Sequence, residues 1–347
     1  MAIKWSWAWG PETAVQLETM GWAFQNNTPT YGTPRPDLVY TYPGSPTRYS
    51  WAQDEYYNRY TFWPPEGTWE SEGWLSTAFY PNGSSINNLR CMEIRGAATG
   101  DSIWIQPTNV NEIWEMRIDN TSQGTFTVSE KDWHFISMKY TMSTVEWGCE
   151  VFIDGVSVVS GTKTQGNAES TGEFKFTGCI NGVRNAIYGQ IIVWDSLSDP
   201  GEVPRYVTRV NPTVDTSETG VWTPLAPATT NYEVLASPFD SGTYTTNTGS
   251  ASGNKVICQV TGASGLITQL GTIPSEIDGI TVHCWASGSG QSGVAGLSDN
   301  DSVYKIGTAI VPDINDPTYC FATSGSQPSN GDPWNATSSV YIKYEVS

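Results

Sequence analysis

The chain reads as an all-β protein, with a larger N-terminal β-sandwich followed by a smaller C-terminal β-sandwich. Three observations predict this. No segment of ten or more residues keeps a helical period. Sixteen Trp and 17 Tyr, a heavy aromatic load, fall in short runs that alternate with polar residues. Between those runs stand turn residues, drawn from 34 Gly and 21 Pro in 347 residues.

The clearest run is Trp133 to Ser160. His134, Ile136, Met138 and Tyr140 share one side of a period-2 strand, opposite Phe135, Ser137 and Lys139. Trp147, Cys149, Val151 and Ile153 line one face of the next strand, and Asp154-Gly155 then separates VFI from VSVV. An Asp-Gly pair between apolar alternations predicts a two-residue hairpin, because both residues tolerate the positive φ of a type I′ turn. Trp133 and Tyr140 are expected in the N-terminal core.

The remaining elements follow in order. Lys4 to Trp9 alternates aromatic with small or polar residues, and Phe24 to Asp37 reads as loop. From Tyr40 to Trp63 aromatic residues crowd among Pro, Gly and Ser. Aromatic packing over a sheet accounts for that stretch. So does a contact surface made of Tyr40, Tyr42, Tyr49, Trp51, Tyr56, Tyr57, Tyr60 and Trp63. Strands are expected at Glu72–Tyr80, Leu89–Arg95, Ser102–Gln106, Asn111–Asp119, Glu173–Thr177 and Gly189–Trp194. In Asn111–Asp119, Trp114, Met116 and Ile118 face inward while Glu115 and Arg117 face water.

Val203 to Pro227 is rich in Pro, Thr and Ser with little period, so 206–227 reads as a linker leading into a second domain, with Val221–Thr223 within it as a candidate first strand. Domains are therefore expected over 1–205 and 228–347. In the second, strands are expected at Tyr232–Leu235, Lys255–Val260, Ile280–Trp285, Tyr304–Ile306, Thr318–Ala322 and Val340–Val346.

Residues 1–205 resemble the laminin G-like, concanavalin A-like sandwich family. The likeness rests on Trp133, His134, Ile136 and Tyr140, then Val151, Ile153, Asp154 and Gly155, and on the closing stretch Gly189–Ser198. It implies a jelly-roll sandwich for the N-terminal domain. The texture of the C-terminal half resembles the modules that follow laminin G-like domains in tailed-phage structural proteins.

Composition limits function. With Asp and Glu numbering 35 against 17 Lys and Arg, the net charge is −18. That excludes nucleic acid, which needs clustered cations, and anionic membrane surfaces. No apolar run is long enough to span a membrane, and no signal peptide is visible. The six cysteines, at 91, 149, 179, 258, 284 and 320, form no CxxC. Strand alternation places Cys149, Cys258 and Cys284 inside as free thiols, in keeping with synthesis in a reducing cytoplasm.

Catalytic material is sparse. His134 reads as a satisfied core histidine and His283 as a surface or interface residue, which leaves little for a metal site or a Ser-His-Asp triad. Polysaccharide-cutting members of the resembled family place three alternating acids on one strand. Here Glu93 stands alone, and Glu70 and Glu72 lack a third. Asp299, Asp301, Asp313 and Asp316 form the densest acidic loops, but their spacing is not that of an EF-hand, and they read as turn residues. Asp154 is accounted for by its turn.

The expectation is thus a non-enzymatic virion structural protein of a tailed bacteriophage, without cofactor or metal. It would be made in the host cytoplasm and displayed on the virion surface as a capsid decoration or a tail or fibre component. Partners would be other capsid or tail proteins, further copies of itself in a homo-oligomer, and host-surface glycan. The alternatives are a carbohydrate-binding adhesin and a polysaccharide-degrading enzyme.

Overall fold

The computed structural model describes residues 3–7, 22–25, 35–36, 51–52, 59–63, 70–81, 90–97, 100–164, 171–180, 183–184, 186–198, 201, 203–205, 207, 211–220, 222–224, 228, 230–231, 245–247, 253–260, 277–288, 291–313, 318–335 and 338–346. Its elements are all strands. In chain order they begin β1 (Ile3–Trp7), β2 (Ala23–Gln25), β3 (Arg35–Pro36), β4 (Trp51–Ala52), β5 (Arg59–Trp63), β6 (Glu72–Pro81), β7 (Met92–Gly96) and β8 (Ser102–Pro107). There follow β9 (Ile113–Ile118), β10 (Thr121–Thr127), β11 (His134–Met142), β12 (Glu146–Ile153), β13 (Val156–Thr164), β14 (Thr171–Ile180), β15 (Val183–Arg184) and β16 (Ala186–Trp194). The rest are β17 (Val214–Thr219), β18 (Trp222–Pro224), β19 (Thr245–Asn247), β20 (Lys255–Val260), β21 (Ile280–Ala286), β22 (Gly293–Ser298), β23 (Lys305–Ile306), β24 (Thr318–Ser324) and β25 (Val340–Val346). Packing divides the chain into Ser6–Val207 and a second unit of Met1–Trp5 with Thr208–Ser347.

In the first unit two antiparallel sheets pack face to face. One runs β13-β12-β11-β6-β16-β4-β3 and the other β10-β9-β8-β7-β14-β5-β2. Between them, inward residues of one sheet meet those of the other: Phe79 meets Trp114 edge-on at 5.2 Å, Tyr140 meets Phe174 at 6.1 Å, and Tyr188 meets Phe176 at 5.3 Å. Tyr188 adds a polar tie. Its hydroxyl lies 2.6 Å from the Cys91 carbonyl oxygen and 2.9 Å from that of Thr177, both on the opposite sheet. Burial pushes this phenol well above its ordinary pKa, so it stays a hydrogen-bond donor.

The expected hairpin is present. β12 and β13 pair to Ile153↔Val156, and Asp154 and Gly155 have φ of 51° and 85°. Along β12 the alternation Trp147, Cys149, Val151, Ile153 is buried, as the pattern requires. Tyr140 is a core residue, whereas Trp133 is not: it sits half-buried one residue ahead of β11, its ring 5.4 Å from Tyr80. The alternation that places Tyr140 inside begins at His134, so it never reached Trp133.

The centre of the first sheet is buried on both sides. β6 and β16 are buried almost throughout. On the outer side the chain after β16 lies over the strands. Ser76 and Ser137, cross-strand partners, both donate their hydroxyls to the Gly201 carbonyl, at 3.0 and 2.6 Å. A Cβ at Gly201 would stand 2.5 Å from the Trp74 ring, so this close approach needs glycine. Gln190 fixes the strap further on through the Arg205 carbonyl, 2.6 Å away.

The second unit holds a sheet in the order β17-β20-β25-β22-β23 and two ribbons, β18-β19 and β21-β24. Its core joins Val260, Ala295, Leu297 and Val340 from the sheet with Val282, Cys320 and Ala322 from the second ribbon, and with Trp334. Residues 206–227, read as a linker, carry β17, while β18 falls at the candidate strand Val221–Thr223. The correction has a physical cause: β17 is an edge strand, bonded on one side only, so its polar sequence VDTSET needs no apolar face of its own. β22 was also unforeseen, because Gly-Val-Ala-Gly-Leu-Ser carries no strong β pattern. Its small residues are demanded by tight packing, with a Cβ at Gly293 standing 2.0 Å from the Tyr344 hydroxyl. The strand expected at Tyr232–Leu235 lies outside the described residues.

Tyr188→Phe tests the tie between the sheets. It removes one buried donor and leaves two carbonyl oxygens facing it, so urea unfolding should show a loss of about 1–3 kcal/mol without a change of fold.

Candidate functional site

Of the expected contact surface, Tyr40, Tyr42, Tyr49, Tyr56 and Tyr57 lie outside the described residues. Trp51 belongs to β4 and pairs with Tyr188 in the first sheet. Tyr60 and Trp63 belong to β5 in the second sheet, opposite Cys179 and Ala23. The stretch therefore contributes backbone to both sheets of the sandwich.

The most chemically loaded surface is the outer face of the second sheet. Period-2 alternation sends Met92, Ile94, Ile103, Ile105, Met116 and Ile118 inward, so their neighbours point out. Antiparallel register then aligns Lys175, Glu93, Trp104 and Arg117 in one cross-strand row, with Gln106 opposite Glu115 and Arg95 opposite Glu173 beside it. Glu93, only 5 % exposed, accepts from the Ser102 hydroxyl at 2.5 Å and the Arg90 guanidinium at 2.6 Å. The same guanidinium lies 3.9 Å over the Trp104 ring. Trp104 Nε1 donates to Gln106 at 3.0 Å, Gln106 donates to Glu115 at 3.0 Å, and Arg117 donates to Glu115 at 3.0 Å. Glu173 is held between Arg95 and Lys175 at 3.1 and 3.3 Å.

These partners set protonation. Burial opposes the charge on Glu115, yet hydrogen bonds from Ser122, Arg117 and Gln106, with the charge of Arg117, hold its carboxyl below the usual range. The Lys163 ammonium, hydrogen-bonded to Asp119, does the same there. Thiols move the other way: burial pushes Cys91, Cys149 and Cys258 well above the ordinary thiol value. The face therefore holds fixed acceptors and cations, and the Glu115 carboxyl is a poor proton donor.

Glu70, Glu72 and Glu93 are not brought together. Glu72 opens β6 of the first sheet and Glu93 lies on the outside of the second. His134 is buried and satisfied, as expected, but its partners were missed. Its Nδ1 lies 2.7 Å from Asp154 Oδ2 and its Nε2 2.8 Å from Ser129 Oγ. Asp154 also accepts from the Phe135 amide at 2.7 Å, so one residue both makes the turn and clamps the mouth of β11. The only sequence signal was the pairing of Trp-His with Asp-Gly some twenty residues on. The order of contacts is that of a Ser-His-Asp relay, but Ser129 is exposed on the β10–β11 loop, and its own carbonyl lies 3.2 Å from the same Nε2.

In the second unit, His283 lies 2.7 Å from the Tyr319 hydroxyl among half-buried Trp285 and Phe321, with Trp5 edge-on at 5.9 Å. Asp299 accepts from Ser329, and Asp301 from the Tyr304 hydroxyl. Asp316 lies outside the described residues. No group of three or more His, Cys, Asp or Glu among the described residues is placed to hold a metal ion. A pocket of about 350 Å³ is lined by Asp215, Glu218, Trp222, Asn231 and Val256, among others. Asn231 there binds both acids, its amide to Asp215 at 2.8 Å and its side chain to Glu218 at 3.2 Å.

Two outcomes test the network. Glu93→Gln strands Arg90 and should cost about 1–3 kcal/mol, toward the lower figure because Arg90 is partly exposed. Glu115 and Asp119 have depressed folded pKa values, so their stabilisation is complete above the unfolded carboxylate value and is lost as pH falls through the folded one. Arg117→Ala should therefore shrink the acid-induced loss of stability, measured by urea unfolding from pH 7 down to pH 3.

No known protein family matches the chain, and no curated protein matches it. Among solved structures it is similar to a galectin-like protein of unknown function from Bacillus subtilis, with 11 % identity over 56 % of this chain and 96 % of that one, TM-score 0.38. It is similar to domain 4 of AbnA, a GH43 arabinanase from Geobacillus stearothermophilus in complex with arabinotriose, at 13 % identity over 52 % and 85 %, TM-score 0.37. It is also similar to the exoplasmic domain of VIP36 in its Ca²⁺/Man3GlcNAc-bound form, at 10 % identity over 52 % and 85 %, TM-score 0.33.

Proposed function

We propose that this chain is a non-enzymatic virion structural protein of a tailed bacteriophage, displayed on the particle surface as a capsid decoration or a tail or fibre component. It acts by contact with neighbouring virion proteins, with further copies of itself, or with the host surface. The observation that carries the non-enzymatic part is the direction of the pKa shifts. Catalytic acids need raised carboxyl values and catalytic thiols lowered ones. In this chain Glu115 and Asp119 move down while Cys91, Cys149 and Cys258 move up. The virion setting is supported by the Trp133–Gly155 motif and by the texture of the C-terminal half.

One observation favours a second reading, a carbohydrate-binding adhesin. The outward row of the second sheet carries planar donors and acceptors, the group types that recognise sugar hydroxyls; Arg117 and Glu115 are its partly exposed members, backed by buried Glu93, Trp104 and Gln106.

Immunogold labelling of purified particles with an antibody to this chain is expected to decorate their surface; unlabelled particles that contain no such chain would refute the virion reading. A glycan array probed with the purified chain decides the adhesin. Glu70→Gln, Glu72→Gln and Ser129→Ala are expected to leave attachment unchanged, and no reducing ends should appear from host polysaccharide. Their appearance, abolished by any of the three changes, would make the protein an enzyme.

A further inference from the structure

β21 and β24 form an antiparallel ribbon in which Cys284 lies directly opposite Cys320. Directly opposed residues in such a pair have Cα atoms about 4.5–5.5 Å apart, inside the range of about 4.4–6.8 Å that a disulfide spans. Opposed residues also share a face, and this one turns to the core: Cys320 belongs to the buried cluster with Val282 and Ala322, and Cys284 packs against it. The two thiols are free and hydrogen-bonded to each other. The surroundings of the other buried thiols differ. Cys258 donates to Asp215 Oδ1 at 3.3 Å, Cys149 stands between Tyr140 and Gly161 in the ladder, and Cys91 contacts Tyr188.

We infer that Cys284 and Cys320 are a modification site, a cross-strand dithiol that a small peroxide oxidises to a disulfide. Cys284 is the half-buried member and Cys320 the buried one, so the oxidant meets Cys284 first. Its thiolate attacks one oxygen of hydrogen peroxide, breaking the O–O bond to give a sulfenic acid and, after protonation, one water. The Cys320 thiolate then displaces the sulfenic hydroxyl, forming the S–S bond and releasing a second water. Two thiols and one peroxide become one disulfide and two waters, with the two electrons from sulfur passing to the peroxide.

The partner thiol, and then burial, raise the Cys284 pKa well above the usual value, which keeps its thiolate scarce. Oxidation is therefore slow near neutral pH and quickens as pH rises. The closed loop between positions 284 and 320 is long enough for the bond to restrict the unfolded chain substantially.

The test treats the full chain with hydrogen peroxide, unfolds it in an alkylating agent, counts alkylated thiols by intact mass and maps peptides. Two thiols should be lost, a Cys284–Cys320 cross-linked peptide should appear, and dithiothreitol should reverse both. The melting temperature of the oxidised chain should rise by about 10 °C. In Cys320→Ser the sulfenic acid at Cys284 should be trapped by dimedone, with no cross-link. Both thiols remaining alkylatable, sulfinic acids without a cross-link, or a bond from either residue to Cys258 would each overturn the inference. If Cys320→Ser does not fold, the peptide map of the unaltered chain decides alone.

Discussion

A sheet whose centre is buried on both faces needs two covers, and the first unit is arranged around that requirement. One cover is the second sheet, which supplies aromatic and aliphatic side chains to the inner face. The other is a strap of the chain's own backbone, which brings polar groups into an apolar setting. Ser76 and Ser137 answer this by pointing two hydroxyls at the single Gly201 carbonyl. Serine in the middle of a core strand would otherwise cost about 1–3 kcal/mol per unpaired hydroxyl. The phenyl ring of Phe152 and the ammonium of Lys139 close over Trp74 on the same side, at 5.3 and 5.1 Å. The two sheets thus solve their outer faces differently: one with a strap, the other with a lattice of paired charges.

That contrast also explains how much could be read from the residues alone. The Asp154-Gly155 turn, the alternation of β12 and the inward set Trp114, Met116 and Ile118 were legible because local period and turn chemistry fix them. The outer row of Glu93, Trp104 and Arg117 was not, because its members come from three strands and meet only through register. Glu93 read in isolation was a lone acid; in the sheet it accepts hydrogen bonds from Arg90 and Ser102. His134 was legible as buried but its clamp to Asp154 was not, because a turn residue already had a sufficient local reason to be aspartate. Edge strand β17 escaped for the opposite reason, since a strand bonded on one side carries little pattern.

The electrostatic state of the first unit follows from the same geometry. Along β9, Arg117 sits two residues from Glu115 and with Ser122 and Gln106 holds it ionised against burial, and Lys163 of β13 does the same for Asp119, while burial keeps thiols and phenols protonated. Each group is stabilised in the form it already has at neutral pH. Such an arrangement resists protonation changes around neutral pH.

Trp5 carries a consequence for how the chain is made. Its indole donates to the Tyr319 hydroxyl at 2.8 Å, across 314 positions of sequence. During synthesis Trp5 leaves the ribosome 314 residues ahead of Tyr319, so this bond can close only after all of that intervening chain has emerged. Contacts of such separation form late and slow the final step of folding. A fragment that begins at Thr208 would keep every strand of the second unit except the one bearing Trp5, and would leave Tyr319 and His283 without the ring that packs against them. The two units are therefore not separable by a single cut in the gene.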